Sequence, residues 1–501
     1  MLKIWVLLVL PLLSLQVLAA QKWLLRDTTI ISPERTAPLY HQDILFSEQG
    51  IEKIGQQLSI TDARAIDGRG RYVIPGLVDS HVHLGSSAGL DDEQQLEQPE
   101  LVAQFMAQEP RSYLYFGFTT LVDLKQSEQF AKQWQQFPQK PDLLYCKALP
   151  FSNGYGMAFL PPAERFNTPY FLYDPAQAEQ IPAGVDPAQH SAKRVIEKVS
   201  QTNASCIKTF NEDGFGGLWH WPTPPDDLIR ELRQLAQQQH LVHVHHANAL
   251  SGQRQAVASG VDVMAHGLWH WQELNDQNQL PEQIKQLLDQ IIAQGMAYQA
   301  TARVLGGEID LYNPQFLQLS DLAHSLPAPL LQWHQQGHSE WFKALMDKRI
   351  REHPQIVTQF LGHPARGEVA ETSNRALFRL GLVVRYLTEH GGKLILGSDT
   401  PSSPTYTNPP GLNGLLELYQ LHQFGLGLQQ LLKAATLDNA IAFGVDKQIG
   451  TVSEGKRANL LVLQANPWQT VSAYNRIEWV ISNGQPIARE ELSATVSPKR
   501  Q

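Results

Sequence analysis

The sequence predicts an α/β fold: a (β/α)8 TIM barrel with a small β-sandwich domain built from both chain ends. Three observations carry this. The middle of the chain, about residues 75–445, alternates short apolar strand candidates with helical stretches, the pattern of a parallel sheet wrapped by helices. Both ends are instead rich in short strands separated by turn residues. Several of the middle strands end in a residue that can bind a metal ion, and barrels carry their chemistry at the C-terminal ends of their strands.

Taken in order, residues 1–20 read as a secretory signal peptide. Lys3 supplies the charge, Ile4 to Leu13 the apolar run, and Val17-Leu18-Ala19 the small-residue cleavage site. The run is short for a membrane span and is broken by Pro11. The mature protein is therefore expected to be exported to a bacterial periplasm or secreted, without membrane insertion. Residues 21–74 and 446–490 form the small β domain, with strands such as Trp23-Leu24-Leu25, Asp43-Ile44-Leu45-Phe46 and Leu460-Leu461-Val462-Leu463. The run Ile477 to Ser482 meets an Asn483-Gly484 turn, a hairpin signal. The barrel covers residues 75–445. Its strands include Thr119–Val122, Ala204–Lys208, Leu241–His245, Val261–Ala265, Met296–Gln299 and Lys393–Leu396, with helices such as Asp227–Gln239 and Glu282–Ala293 between them. Residues 305–375 exceed what a barrel connection needs and read as a mostly helical insertion that could serve as a lid. Residues 491–501 read as a polar, disordered tail.

The composition is that of an ordinary globular protein: 501 residues, 43% hydrophobic and 18% charged. A formal charge of -9 argues against nucleic acid as a partner. A small molecule is the expected partner, and self-association stays open. Cys146 and Cys206 are too few for a disulfide scaffold and are expected to be buried thiols, although their pairing in an oxidising compartment stays open.

The candidate site residues stand at strand ends. His81 and His83 are spaced i, i+2, so on a strand they share one face about 6.5–7 Å apart, well placed for one metal ion. Further strands end in Lys208, in His245-His246, in His266 and in Asp399. Each alone is more often structural: a buried lysine usually snorkels or pairs, and an aspartate before Thr-Pro is usually a turn or cap. The ordered set is harder to assign to chance.

With these residues the chain resembles the amidohydrolase superfamily of metal-dependent hydrolases. The resemblance is strongest in a subgroup like the Xaa-Pro dipeptidases and imidazolonepropionases, and runs from about Trp23 to Ile487. Its carriers are Pro75-Gly76-Leu77-Val78-Asp79-Ser80-His81-Val82-His83, Gly117-Phe118-Thr119-Thr120-Leu121-Val122-Asp123, Gly260 to Gly267, Gly397-Ser398-Asp399-Thr400-Pro401 and Ala435 to Ala440. Gly450 to Leu460 also fits, except that the family commonly has Asp where Asn459 stands. The resemblance implies that His81 and His83 bind one divalent ion and His246 and His266 a second, with Lys208 bridging them as a CO₂-derived carbamate. Asp399 would bind the first ion and act as general base and acid. His245 stays open as the alternative to His246, since alternation lets only one of the pair face the barrel centre. Zinc is the default metal for such ligands.

Two close dications lower the pKa of a bridging water, so a metal-activated hydroxide is the expected nucleophile. The expected reaction is cleavage of an amide-type carbon–nitrogen bond in a dipeptide, an N-acyl amino acid or a cyclic amide. Alternatives are a lactonase, esterase or phosphotriesterase on the same binuclear site and, distantly, a non-catalytic periplasmic binding protein. The loops are rich in aromatics: Trp219, Trp221, Trp269, Trp271, Trp333 and Trp341. Tyr155 and His220 are the candidates for touching substrate, whereas Trp333, Trp341 and His363 are expected to be structural.

Overall fold

The computed structural model describes residues 21–401 and 405–496. The expected signal peptide lies outside the described residues. The small domain is one mixed sheet of eight strands: β1 Lys22–Ile30, β2 Leu39–Ser47, β3 Gly50–Gly55, β4 Ala63–Asp67, β5 Tyr72–Pro75, and from the far end of the chain β14 Leu460–Leu463, β15 Ile477–Ser482 and β16 Gln485–Ala488. Their order is β16-β15-β14-β5-β1-β2-β3, with β4 also paired to β1. The two chain ends meet where β14 runs antiparallel to β5. Leu25, Ile44, Phe46, Val73, Leu460 and Val462 bury the apolar face they share.

The second sheet is the barrel: β6 Leu77–Val82, β7 Phe118–Asp123, β8 Asp142–Ala148, β9 Cys206–Phe210, β10 Val242–His246, β11 Val263–Ala265, β12 Ala297–Gln299 and β13 Lys393–Ile395. All neighbours in it are parallel and follow chain order. It closes just beyond β13, where the Ser80 amide donates to Leu396 O and the Asp399 amide to His81 O. The chain steps from the small sheet into the barrel at Gly76, where a Cβ would sit 2.0 Å from Thr119 Oγ1. Helices cover the outside because their apolar residues recur on one face. Glu282–Ala293 buries Ile284, Leu287, Leu288 and Ile291, a spacing of one helical stripe. Asp226–Gln238 buries Leu228, Ile229, Leu232 and Ala236, with Asp226 and Asp227 in its first turn favourably set against the helix dipole.

Four features differ from, or add to, the sequence reading. β8 is absent from the predicted strands, because Asp142-Leu143-Leu144-Tyr145-Cys146-Lys147-Ala148 lacks clean alternation. Cys146 and Cys206, expected as thiols, are buried but form a disulfide. They are direct partners in the β8–β9 register, a juxtaposition that only strand pairing creates. The expected disordered tail is folded through residue 496: Leu492 is buried, and Arg111 donates to the carbonyls of Glu491 and Val496. Residues 497–501 lie outside the described part. Asn459 donates to Asp142 and accepts from the Asn483 amide, so it ties the small sheet to the start of β8 rather than to any chemistry.

Between β12 and β13 the chain forms a series of helices, among them Ala302–Asp310, Ala328–Gln335, Trp341–Glu352, Pro354–Leu361 and Glu371–Glu389. The middle of this segment rests on loops at the barrel mouth. Trp341 donates to Gly89 O after β6, Arg349 lies over the Trp219 ring after β9, and Phe360 stacks on His270 after β11. No helix among the described residues is long and apolar enough to cross a membrane.

Candidate metal centre

The closure of the barrel builds the first half of the site. Alternation along β6 turns His81 inward, and His83 follows on the same face just past the strand end. The His83 amide donates to Thr400 O, which holds the segment after β13 against it. At Gly397 a Cβ would lie 2.8 Å from the Cβ of His81, so only glycine lets the two segments approach. Asp399 Oδ1 then sits 3.1 Å from His81 Nε2 and 2.9 Å from His83 Nε2. One ligand atom from each of the three residues falls within 4.8 Å of the others, a group able to hold a metal ion.

The second half comes from β9, β10 and β11. Cys206, Lys208 and Phe210 share the inward face of β9, and Lys208 is buried, with no hydrogen-bond partner for Nζ among the described residues. On β10, His246 points inward. His243 and His245 point the other way and share the Thr209 hydroxyl at 2.7 Å each. The geometry thus puts His246, and not His245, at the barrel centre. His266 follows β11, with its ring 4.4 Å from that of His246 and 4.8 Å from that of His81. It sits between the halves, and its Nδ1 is 2.9 Å from Thr301 Oγ1. The structure therefore brings all six predicted residues to one end of the barrel.

The backbone here is strained. His266, Thr301 and Asp399 have φ of 74°, 44° and 57°, left-handed values costly for non-glycine residues, by roughly 1–3 kcal/mol each. Such strain persists where the surroundings over-determine it, and here it aims side chains inward.

Electrostatics follow from burial. Burial holds the His81 imidazolium down to about 3 and keeps His266 well below its ordinary value, so both rings are neutral. Burial opposes ionisation of Asp399, but His81 and His83 outweigh it and hold the carboxyl well below the usual range. Burial pulls the Lys208 ammonium down to about 7, with Asp399 opposing. Neutral imidazoles, an ionised carboxylate and a lysine able to shed its proton are the states in which these groups ligate metal or react with CO₂.

A supporting layer escaped the sequence reading. Gln299 accepts from His81 Nδ1 at 3.2 Å and donates to Ser80, which leaves Nε2 of His81 facing the site. Glu212 is buried and accepts at one oxygen from the Gly214 and Phe215 amides. Its other oxygen takes Asn248 Nδ2 at 2.8 Å and faces His246 Nε2 at 3.4 Å. Nothing local marks Glu212 in Asn211-Glu212-Asp213, because a loop carboxylate is usually solvated. Of the two residues expected to touch substrate, Tyr155 lies with its ring 4.9 Å from that of His246. His220 is exposed, and no ring contact or hydrogen bond joins it to the site residues. Trp219 and Trp221 flank Tyr155 on the rim, and Trp269 is 5.8 Å from His266. Trp271 is core, Trp333 and Trp341 belong to the helical insertion, and His363 is half-buried, with Nδ1 2.9 Å from Pro364 O.

The model of the amidohydrolase family matches residues 72–298 and 383–487, most of the chain. The imidazolonepropionase of Clostridium tetani is 25% identical over 195 residues, 38% of this chain and 42% of that one. The dihydroorotase of Halalkalibacterium halodurans is 41% identical over 68 residues, 14% of this chain and 15% of that one. The matches thus span less than half of either relative. A crystal structure of a Xaa-Pro dipeptidase with bound methionine in the active site shares the fold, with a TM-score of 0.64, 16% identity, and coverage of 93% of this chain and 100% of that one.

Proposed function

The chain belongs to the amidohydrolase family, and from that premise we propose that it is a metal-dependent hydrolase of an amide-type carbon–nitrogen bond in a small molecule: a dipeptide, an N-acyl amino acid or a cyclic amide. The observation that carries the reading is the buried Nζ of Lys208, unpartnered among the described residues, in the midst of four inward imidazoles and the Asp399 carboxylate. An isolated buried ammonium is costly, whereas a carbamate on that nitrogen would supply an anionic ligand among the imidazoles. His81, His83 and Asp399 would hold one divalent ion, His246 and His266 the other, with the Lys208 carbamate shared. Such ions, zinc by default, supply Lewis acidity and a water acidic enough to act as a nucleophile near neutral pH.

The chain's own groups do the rest. Asp399 takes the water proton and delivers it to the leaving nitrogen, so the acyl carbon gains the oxygen as the C–N bond breaks. Gln299 fixes the His81 tautomer, and Glu212 orients the His246 ring through Nε2. Tyr155, half-buried beside His246, carries a phenol that can donate to the substrate carbonyl oxygen. We also read the protein as exported, and the Cys146–Cys206 disulfide supports an oxidising compartment. The test is hydrolysis of a panel of dipeptides, N-acyl amino acids and cyclic amides by the zinc-loaded protein, read as product release. Turnover of lactones or phosphotriesters in place of every amide would reject the bond assignment and keep the metal centre.

A further inference from the structure

Six aromatic rings stand above the metal centre in one contiguous group. Tyr155 and Phe159 come from the segment after β8, Phe210 ends β9, and Phe215, Trp219 and Trp221 follow in the next loop. Tyr155 is the hub. Its ring is 4.9 Å from that of His246, 5.4 Å from Phe210, 5.5 Å from Phe159, 5.7 Å from Phe215 and 5.8 Å from Trp221. Trp219 stacks on Trp221 at 4.9 Å. A core cluster of this size would be buried, but none of these six is. Phe159 is 59% exposed, Phe215 39%, and the other four are partly open. An exposed apolar surface this large, continuous with a buried imidazole, marks a binding site rather than packing.

The surface is held in place by its own loop. One oxygen of Glu212 takes the amides of Gly214 and Phe215, and Trp219 and Trp221 donate back to the carbonyls of Gly214 and Asp213. At Gly214, with φ of 132°, a Cβ would fall 2.1 Å from Trp219 O, so the return of the loop requires glycine. Glu212 also faces His246 through its second oxygen, so the aromatic loop and the candidate ligand share one anchor. A positive charge is already present on this surface: the Arg349 guanidinium sits 4.6 Å from the Trp219 ring. That disfavours a cationic ligand, and the ring faces and edges match a planar one.

We propose that these rings form a specificity wall for an aromatic group adjacent to the scissile bond, so that the substrate is an aryl-bearing amide rather than a small aliphatic one. This rests on the hydrolase reading above and names the substrate class of the same site. Mutual edge-to-face and stacked packing presents both ring edges and faces, which a planar aryl group can complete.

The test uses the full-length, metal-loaded protein and two hydroxamates that differ only in side chain, N-acetyl-phenylalanine hydroxamate and N-acetyl-alanine hydroxamate. Binding is measured by calorimetry beside hydrolysis of the matching amides. The aryl ligand binds about tenfold tighter or better in the wild type. Trp221→Ala brings the two within about twofold, and Phe215→Ala, at an exposed ring, supplies the same test if Trp221→Ala fails to fold. Phe378→Ala, at an exposed ring on the helix Glu371–Glu389, keeps the full preference. Equal binding of the two ligands by the wild type overturns the wall and leaves the hydrolase reading standing. A clear aryl preference without turnover of any amide overturns the hydrolase reading and leaves the wall. Absence of binding by both ligands with metal present overturns the wall.

Discussion

At the floor of the pocket, His81, Lys208, His246 and Asp399 are placed by strand ladders and by the closure of the barrel, and each is supported from beneath by buried groups. A few ångströms above, Tyr155, Phe215 and Trp221 ride on loops whose shape comes from side-chain-to-backbone bonds centred on Glu212. The floor is set by strand pairing and by the closing bonds just beyond the strand ends, whereas the rim is set by bonds within its own loops. The contrast implies a division of labour, with chemistry below and choice of substrate above. Substitutions in the floor should abolish turnover or metal binding, and those in the rim should change preference and little else.

The strongest way to break this comparison is at Asp399. Asp399→Asn is expected to lower kcat by about 10²–10⁴-fold while His81, His83 and the Lys208 bridge keep metal content near wild type. Metal analysis beside steady-state kinetics checks it, and unchanged kcat would remove Asp399 from proton transfer. Lys208→Ala should lose bound metal and activity by on the order of 10²-fold or more, with partial rescue by added short carboxylates such as acetate. Full metal occupancy without any additive would exclude the bridge.

Deeper in the floor, Cys146→Ala with Cys206→Ala opens a covalent loop spanning a sequence separation of 60. Loop-closure entropy puts the cost at about 2–4 kcal/mol, read as a lower denaturation midpoint. Equal midpoints would show that the β8–β9 ladder suffices. Glu212→Gln touches both regions at once, and should weaken metal binding by about 10–100-fold as well as loosen the rim. An effect on aryl preference alone would separate the regions more sharply than the shared anchor suggests.

The smallest effect concerns Glu417, which accepts from the amides of Ala302 and Arg303 and so holds the turn at Thr301 beneath His266. Burial pushes its carboxyl up to about 7 from 4.5. An acid whose folded-state pKa is raised stabilises the fold below its unfolded value, and that stability is lost as pH rises through about 7. Wild type should therefore melt at a lower temperature at pH 8 than at pH 5, and Glu417→Gln should flatten that slope. A slope unchanged by the substitution would assign it to other groups.

Much of the floor was readable because a strand has a period of two. Once β6, β9 and β10 are recognised as strands, the faces of His81, Lys208 and His246 follow, and alternation alone limits the His245-His246 pair to one inward ring. The strand-rich ends were readable for the same reason. The rim was not, because a loop has no period. Trp219 and Trp221 were visible as aromatics, but their grouping with Tyr155 and Phe159 depends on how two loops come together. His220 shows the cost of arguing from proximity in sequence, since it lies twelve residues beyond Lys208 and ends up exposed.

By itself the sequence determined the alternation of strand and helix, the joining of the two chain ends in one small domain, and the residues that point into the barrel. These depend on local periodicity and on apolar patterning, which act within a few residues. Only the tertiary structure decided that Cys146 faces Cys206, that residues 491–496 pack on the helix Pro99–Tyr115, that Glu212 stands behind His246, and that Asp399 meets His81 across the barrel closure. Each of these joins segments distant in sequence or loops without a repeat, and register, closure and loop packing are set by the whole barrel rather than by any one stretch of it.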